Sequence, residues 1–554
     1  MTRPLSHKQP VIVLDSSTSR RDLLKQTAAL GLAVPAFAAS ARQTGASRQA
    51  TPSAAQGEAQ QGGSLVVLGH QEVSGLSPEN AVETVPWAVV SQIHNGLYQL
   101  DENHELQPVL ADSHEVSEDG LTYTFKLKTG VTFHNGDPFS SADVKYTYDW
   151  IKNPDNASNR AGNFELVDTV EAPDETTVVV KLKETNVTFM FAVSQTMIYP
   201  STYHQEIGEE EYQANPAGTG PFKLKEWNAA QRTVLEAFDD HFRGRPNFDE
   251  YRLDVVPEAS GRMAALETGE GDTSIWPLNA EDSVTLSESG EFTTYKWLQQ
   301  AVNHFPLNLS RPFLNDKQAR KAMMHAIDRQ ALIDDIFLGN AVLATSNLSP
   351  SIKEFYTDDV TTYDYNVETA NKLLDDAGWA MGDDNVREKE GQKATFTCFT
   401  ITGDTGRRPE AEVVQQQLAE VGIDMQLQEA PVTAILEQLR NGEIDAALFN
   451  WVYGSIDADA RDELKTGGPN NFFQFSNPRV DELLDAGIKE LDAEKRVAIY
   501  HEIQQIVADE LPFLFIMVWN AFTFYNGRIK GLPEAVLNGD QLILKAHQMW
   551  IEEA

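Results

Sequence analysis

Residues 394–451 alternate between short apolar runs and amphipathic segments, and this alternation constrains the fold more than any other part of the chain. The pattern predicts, in order, strand Ala394–Ile401, helix Pro409–Val421, strand Ile423–Leu427, helix Val432–Asn441 and strand Ile444–Asn450. Pro409 suits the first turn of a helix, and Gly422 and Gly442 suit helix ends. Strands joined by helices pack as a parallel sheet with helices on its faces. The sequence therefore predicts an α/β fold around a mostly parallel sheet.

The ends of these strands form the first candidate ligand site. In open α/β sheets, ligands bind beyond the carboxyl ends of the strands, here at residues 402–405 and at Asn450–Tyr453. Alternation places Trp451 and Tyr453 on the same side past a strand end. An aromatic face can cover a sugar ring or a ligand side chain, and the tyrosine hydroxyl can add a hydrogen bond. The alternative for both rings is ordinary packing within the domain.

Apolar runs and turn signals predict further elements along the chain. These are strands Leu65–Leu68, Leu121–Leu127, Val178–Leu182 and Phe513–Phe524, and helices Ser141–Lys152 and Asp492–Leu511. At 554 residues the chain is too long for one ordinary core, so two or three domains are expected. The single cysteine, Cys398, lies within a predicted buried strand, so no internal disulfide supports the fold.

Residues 1–41 resemble a twin-arginine export signal, because Arg20-Arg21 and two leucines precede the weakly apolar run Thr27–Ala39 and a small-residue cleavage site. That run is too short for a membrane helix, since roughly 20 apolar residues are needed to span a bilayer. Residues 42–63 are mainly Gln, Ala, Ser, Thr and Gly, which predicts a flexible linker. We expect the protein to act outside the cell or on the outer face of its membrane; the sequence leaves open whether the signal is cleaved or serves as an anchor.

The chain carries 83 acidic and 44 basic residues, a formal net charge of −39. Such a charge repels phosphate backbones and argues against nucleic acid as a partner. The acidic residues are spread along the sequence, which favours solvation of the whole surface over a cation-binding site. Diffuse acidity of this size is typical of high-salt organisms, where screening reduces self-repulsion. We therefore expect a halophilic, haloarchaeal source.

Six short motifs follow one another in a recognisable order. They are Val116–Phe125, Val131–Phe139 with Ala142–Val144, Asn215–Phe222, Ala319–Ala322 with Ala326–Arg329, Ala370–Trp379 and Gly442–Leu448. Together they resemble the family-5 solute-binding proteins of ABC importers, the dipeptide-, oligopeptide- and nickel-binding group. The resemblance covers about residues 65–532. Most of these residues suit structural roles, such as the sharp backbone reversal predicted at Pro216–Pro221.

The resemblance implies a two-lobed periplasmic-binding-protein-like fold of type II, with an extra inserted domain and mixed sheets with helices on both faces. Lobe I would comprise residues 64–97, 213–302 and 516–554, the inserted domain residues 98–212, and lobe II residues 303–515. Crossover segments near Phe305–Leu309 and Val518–Phe522 would form the hinge. The lobes would close on a small-molecule ligand, and the closed monomer would dock on an ABC permease with its ATPase. Neither a cofactor nor a metal is expected.

The loop after the last predicted strand departs from the family pattern. Peptide-binding members have Trp, two residues, Asp, two residues and Asp-Pro-Asp there, and the first aspartate holds the ligand's α-amino group. Here the loop is Trp451-Val452-Tyr453-Gly454-Ser455-Ile456-Asp457-Ala458-Asp459, so Gly454 replaces that aspartate. A buried ammonium without a carboxylate loses a hydrogen bond worth about 1.5–3 kcal/mol. Asp457 would have to substitute, or the ligand is a sugar, a capped peptide or a metal chelate.

Weaker site candidates lie on other segments. Gln71 and Glu72 follow the first predicted strand, and Trp276 and Trp519 lie near proposed cleft or hinge segments. Enzyme motifs such as Gly-x-Ser-x-Gly, His-Glu-x-x-His and the phosphate-binding loop are missing from the sequence, so an enzyme is not expected. A glycosidase, which needs only two carboxylates, stays an alternative. A sensory binding protein would use the same fold without transport.

Overall fold

The computed structural model describes residues 59–275, 278–402, 404, 406–452 and 458–552, all within one compact unit. The predicted signal segment and most of the predicted linker lie outside the described residues. Among the described residues, we find no helix with the length and apolar character that crossing a membrane requires.

The strands, in chain order, are β1 (Ser64–Gly69), β2 (Tyr98–Leu100), β3 (Leu106–Pro108), β4 (Ala111–Val116), β5 (Thr122–Leu127), β6 (Val167–Asp174), β7 (Thr177–Leu182), β8 (Phe222–Asn228), β9 (Arg232–Ala237), β10 (Glu250–Val255), β11 (Thr273–Ser274), β12 (Phe292–Leu298), β13 (Val302–Pro306), β14 (Ala341–Leu343), β15 (Ala380–Met381), β16 (Arg387–Lys389), β17 (Gln392–Lys393), β18 (Thr395–Ile401), β19 (Asp424–Ala430), β20 (Ala446–Ala447), β21 (Phe449–Trp451), β22 (Phe513–Asn526), β23 (Ile529–Lys530) and β24 (Trp550–Ile551).

The α-helices are α1 (Thr84–Ile93), α2 (Ser141–Lys152), α3 (Phe189–Ser194), α4 (Ser201–Tyr212), α5 (Ala259–Glu267), α6 (Ala280–Ser289), α7 (Pro312–Asn315), α8 (Lys317–Ala326), α9 (Arg329–Asp335), α10 (Val367–Asp376), α11 (Arg407–Glu420), α12 (Val432–Arg440), α13 (Arg461–Leu464), α14 (Pro478–Gly487) and α15 (Ala493–Glu510). Short 3-10 helices occupy Pro154–Asn156, Pro78–Asn80, Ala161–Phe164 and Gly539–Gln548.

Helix starts follow the capping chemistry of the sequence. α2 begins after Ser140, which forms a capping box with Asp143. α15 begins after Asp492, whose carboxylate accepts hydrogen bonds from the N–H groups of Glu494 and Lys495. The predicted helices at both places are confirmed.

The predicted βαβαβ arrangement is confirmed, with one correction. β18 pairs in parallel with β19 on one side and with β20 on the other. Cys398 is fully buried in β18, as predicted. The single strand predicted at Ile444–Asn450 is wrong, because the run divides into β20 and β21, and β21 joins a different sheet, antiparallel to β13. Residues 446–449 are buried throughout, so the apolar pattern gives no sign of where the partner strand changes.

Among the described residues, buried apolar side chains form three large cores. The first lies within residues 302–518 and includes the β19-β18-β20 sheet. The second combines residues 65–93, 222–297 and 521–549, and includes the β11-β1-β10-β9-β8 sheet. The third lies within residues 97–198, around the β4-β5-β7-β6 sheet.

One strand connects the first two cores. β22 pairs antiparallel with β13 along its first half and with β12 along its second half. Phe513–Val518 are buried in the first core, whereas Ala521 and Tyr525 are buried in the second. The backbone therefore passes from one core to the other without leaving the strand.

The turn Pro216–Pro221 holds three distant segments together. The Gly220 N–H donates to Ile93 O at 2.8 Å, and Gly218 O accepts from the His134 N–H at 2.8 Å. A Cβ on Gly218 would lie 1.9 Å from Ile93 O. The glycine is therefore needed for close backbone approach as well as for the predicted reversal.

We predict that Gly218→Ala destabilises the protein by at least about 1–3 kcal/mol, because the added methyl must push backbone atoms apart. The measurement is the free energy of unfolding in urea. Gly162→Ala is the matched control, since a Cβ there would meet no atom within 4 Å. Equal stability of the two variants would contradict the close approach.

Candidate ligand-binding site

The carboxyl edge of the parallel sheet places a cation next to Asn450. Arg407 is the first residue of α11, and its Nη2 donates to Asn450 Oδ1 at 2.8 Å. The guanidinium also pairs with Asp404 in the preceding loop. Helix α11 begins two residues before its predicted start at Pro409, and this earlier start places Arg407 at the carboxyl edge of the parallel sheet. Sequence reasoning missed Arg407, although its position directly after a predicted ligand loop was an available signal.

Arg407 links this edge to the strand that joins the cores. Its guanidinium lies over the ring of Trp519, 5.3 Å from the centroid. Phe337 stacks on the same indole with ring centroids 5.3 Å apart and an interplanar angle of 26°. Trp519 belongs to β22, which lies in the same sheet as Asn450 on β21, so Arg407 joins the start of α11 to two strands of that sheet. We refer to Asp404, Arg407, Asn450 and Trp519 as the arginine cluster.

Below the arginine cluster lies a buried carboxyl group. Glu410, one turn after Arg407, has no solvent exposure, and both of its carboxyl oxygens accept from Asn303 Nδ2, at 2.7 and 2.8 Å. Burial raises the pKa of Glu410 to about 8, although Asn303 and Arg407 act in the opposite direction. Asn303 lies on β13, so this contact ties α11 to the crossover region.

Trp451 is half-buried and makes specific packing contacts. Its indole N–H donates to Glu463 Oε1 at 3.2 Å, and its ring meets Phe472 edge-on with centroids 5.3 Å apart. Burial raises the pKa of Glu463 to about 7, and the Trp451 hydrogen bond opposes that shift. Part of the indole therefore serves domain packing. The other two predicted loop residues, Tyr453 and Asp457, lie outside the described residues.

Gln71 and Glu72 follow β1 in the second core. The Gln71 side chain donates to Glu83, while Glu72 is exposed. No hydrogen bond or ring contact within the described ranges joins either residue to Asn450 or Trp451. Trp276, the other weak candidate, lies outside the described residues. The structure thus brings Asn450 together with Trp519 and Arg407, and leaves Gln71 and Glu72 on a separate segment.

Two cavities lie elsewhere. One of about 390 Å³ is lined by Phe164, Lys152 and Lys183, and another of about 330 Å³ by Arg329, Tyr363 and Phe515. The four predicted site residues that the structure describes, Asn450, Trp451, Gln71 and Glu72, line neither cavity. Within the described part of the chain, no group of three His, Cys, Asp or Glu residues is arranged to hold a metal ion.

We predict that Glu410 makes stability fall as pH rises. Its pKa of about 8 exceeds the usual value of about 4.3 for an unfolded chain, so between these values the folded protein binds more protons than the unfolded one. The free energy of unfolding should therefore decrease by up to about 1.4 kcal/mol per pH unit in this window. Glu410→Gln should remove that contribution, so its stability relative to the wild type should rise between pH 5 and 8.

The measurement is urea unfolding of both proteins at several pH values. Glu412→Gln is the control, because it removes only a surface ion pair with Arg408, worth about 0–1 kcal/mol. A stability difference between Glu410→Gln and the wild type that does not change with pH would contradict the buried acid.

Known binding proteins are similar to this chain over most of its length. The oligopeptide-binding protein AppA of Bacillus subtilis (strain 168) is 29% identical over 493 residues, 86% of this chain and 89% of AppA. The glutathione-binding protein GsiB of Salmonella typhimurium is 27% identical over 507 residues, 87% of this chain and 94% of GsiB.

Solved structures of related binding proteins also superpose on most of this chain. AppA from Bacillus subtilis in complex with a nonapeptide superposes with a TM-score of 0.78 at 27% identity, covering 90% of this chain and 100% of AppA. The substrate-binding protein CtaP from Listeria monocytogenes superposes with a TM-score of 0.79 at 26% identity, covering 89% of this chain and 100% of CtaP. The predicted two-lobed α/β fold is confirmed.

The sequence profile of the bacterial extracellular solute-binding proteins, family 5 (middle region), matches residues 105–471. The predicted family is thereby confirmed, and it is a family of binding proteins. This chain belongs to the family-5 extracellular solute-binding proteins.

Proposed function

We propose that this chain captures a peptide between two lobes outside the cytoplasm and delivers it unaltered to an ABC permease and its ATPase. The main supporting observation is the arginine cluster at the carboxyl edge of the parallel sheet, where Arg407 contacts both Asn450 and Trp519. The similarity to AppA, whose solved structure holds a nonapeptide, supports a peptide as the ligand.

The arginine cluster has the chemistry to bind a peptide. A guanidinium has five N–H donors, and Asp404 and Asn450 take only some of them. Free N–H groups can donate to ligand carbonyl or carboxylate oxygens. The Arg407 side chain is only 14% exposed, so such bonds would form in a partly desolvated site. Trp451 and Tyr453 would add aromatic surface, and Gln71 and Glu72 would contact the ligand from the opposite lobe.

The proposed lobes follow the three cores. Residues 64–97, 213–302 and 516–554 would form lobe I, residues 98–212 the inserted domain, and residues 303–515 lobe II. The second core supports lobe I, the third core supports the inserted domain, and the first core supports lobe II. The hinge would lie at Val518–Phe522, where β22 passes between cores, and at Phe305–Leu309.

The ligand's amino group is a separate question because Gly454 stands where peptide-binding relatives have an aspartate. We propose that Asp457 takes over this role. If it does not, peptides with a capped amino terminus should bind as well as free ones. We further propose twin-arginine export, which Arg20-Arg21 supports, and a halophilic source, which the acidity of the chain supports. We also propose that the protein acts as a monomer.

We predict that a library of di- and oligopeptides will contain ligands that raise the melting temperature, because a ligand that binds only the native state stabilises it by about 2.7 kcal/mol at a hundredfold excess over Kd. Each hit is compared with its N-acetylated form, and oligosaccharides and nickel chelates are screened in parallel. Shifts with sugars or chelates but with no peptide would overturn the peptide proposal.

Site variants then test the location. Trp451→Ala should weaken the best hit at least about tenfold, a loss of 1.4 kcal/mol, while circular dichroism stays unchanged. Trp451→Phe is the matched control, because it keeps an aromatic face although it loses the hydrogen bond to Glu463 and one ring of the indole. Unchanged affinity in Trp451→Ala would place the site elsewhere.

A further inference from the structure

A small contact joins the third core to the first, away from the crossover strands. The Val187 N–H donates to Ile488 O at 2.9 Å, and Lys489 Nζ pairs with Glu184 Oε2 at 2.7 Å. The Leu491 side chain lies against Gly120, where a Cβ would be 3.2 Å from Leu491 Cδ2. We call residues 118–120 and 184–187, together with 488–491, the rim contact.

The 184–187 side of the rim contact is fixed to the third core. Asn186 is 8% exposed, and its Oδ1 accepts from the Thr188 N–H at 3.0 Å and from the Thr188 hydroxyl at 2.7 Å. Its backbone O accepts from the Tyr123 hydroxyl at 3.3 Å, and Tyr123 belongs to the third core. This loop therefore moves with that core.

The 488–491 side is fixed to the first core. Ile488 caps the end of α14 and is 2% exposed. Helix α14 packs with α15, and both contribute side chains to the first core. The two sides of the rim contact thus belong to separately packed bodies, each with its own hydrophobic core.

The turn Pro216–Pro221 bonds both to His134, next to Phe133 of the third core, and to Ile93 of the second core, so these two cores are tied together. Any rotation of the first core about β22 relative to them must therefore change the rim contact.

The rim contact consists of one backbone hydrogen bond, one exposed ion pair and one apolar contact, and such interactions are weak enough to break reversibly. The Glu184 and Lys489 side chains are 45% and 47% exposed, and Leu491 is 49% exposed. A contact of this kind shifts an open–closed equilibrium without fixing it.

We propose that the rim contact is a latch: Glu184, Lys489 and Leu491 hold the inserted domain against lobe II in the closed protein and so set ligand affinity from outside the ligand site. This inference rests on the lobe closure proposed above. The apparent Kd equals the intrinsic Kd divided by the fraction of molecules in the binding-competent state. Residues that favour closure therefore tighten binding without touching the ligand.

The test is charge reversal at the ion pair. Glu184→Lys and Lys489→Glu each bring like charges together, and the double variant restores an opposite-charge pair. Spin labels on Thr169→Cys and Glu494→Cys report the distance between the bodies, because both positions are exposed and the one native cysteine, Cys398, is fully buried. Lys145→Glu is the control, since Lys145 pairs with Asp149 within α2.

Each single reversal should increase the population with long label separation in the ligand-free protein and weaken peptide affinity about fivefold or more. The double variant should return both values to within about twofold of the wild type, which a merely destabilising substitution would not do. Lys145→Glu should change neither value.

Single reversals that leave both distance and affinity unchanged would overturn the latch, as would a double variant that fails to recover. If the wild type binds no peptide at all, the proposed function fails on its own, and the label distances in the ligand-free protein still decide the latch.

Discussion

The structure depends on the continuous pairing of β22 across two hydrophobic cores. A strand of 14 residues gives its first side chains to one core and its later ones to another, and its backbone bonds to β13 and then to β12. Breaking the strand would leave buried N–H and C=O groups without partners, which costs about 1–3 kcal/mol for each group. The two bodies are therefore held together strongly at one line, and any motion between them must occur along it.

An ion pair between Arg528, two residues after β22, and Asp272 attaches the C-terminal end of this strand to the second core. Asp272 is fully buried and accepts from the Val66 N–H at 2.9 Å and from Arg528 at 2.7 and 2.9 Å. Near the middle of the same strand, Trp519 lies under Arg407. The strand is thus both the joint between the bodies and one wall of the arginine cluster. A ligand bound at Arg407 would contact the region where the bodies are joined.

The parts that could be predicted from the sequence are those with a regular period or a specific local signal. Helix α2 begins where Ser140 and Asp143 form a capping box, and the β18–β19 pair follows apolar runs bounded by Gly422 and a proline. The division of residues 444–451 into β20 and β21 could not be predicted, because it depends on pairing with the distant strand β13, for example Val302 with Trp451. The need for Gly218 at a close approach to Ile93 likewise has no local signal.

The candidate site shows the same limit. Asn450 and Trp451 could be found because they follow a predicted strand end. Glu410 was missed, because a charged residue at a helix start resembles any solvated residue until tertiary contacts place Asn303 beside it. Arg407 was missed although it closely follows a predicted ligand loop, because its contact with Trp519 has no local signal. Tertiary packing also gave Trp451 a partner, Glu463, which its sequence neighbourhood does not suggest.

The proposed function requires that two bodies joined at β22 close on a peptide and release it unaltered. Small-angle X-ray scattering with and without a saturating peptide hit, followed by mass spectrometry of the peptide recovered after denaturation, tests this most directly. If the bodies close on the ligand, the radius of gyration should be smaller with peptide bound, and one intact peptide should be recovered per protein. A bound peptide with no change in the radius of gyration, or recovery of cleaved peptide, would contradict it.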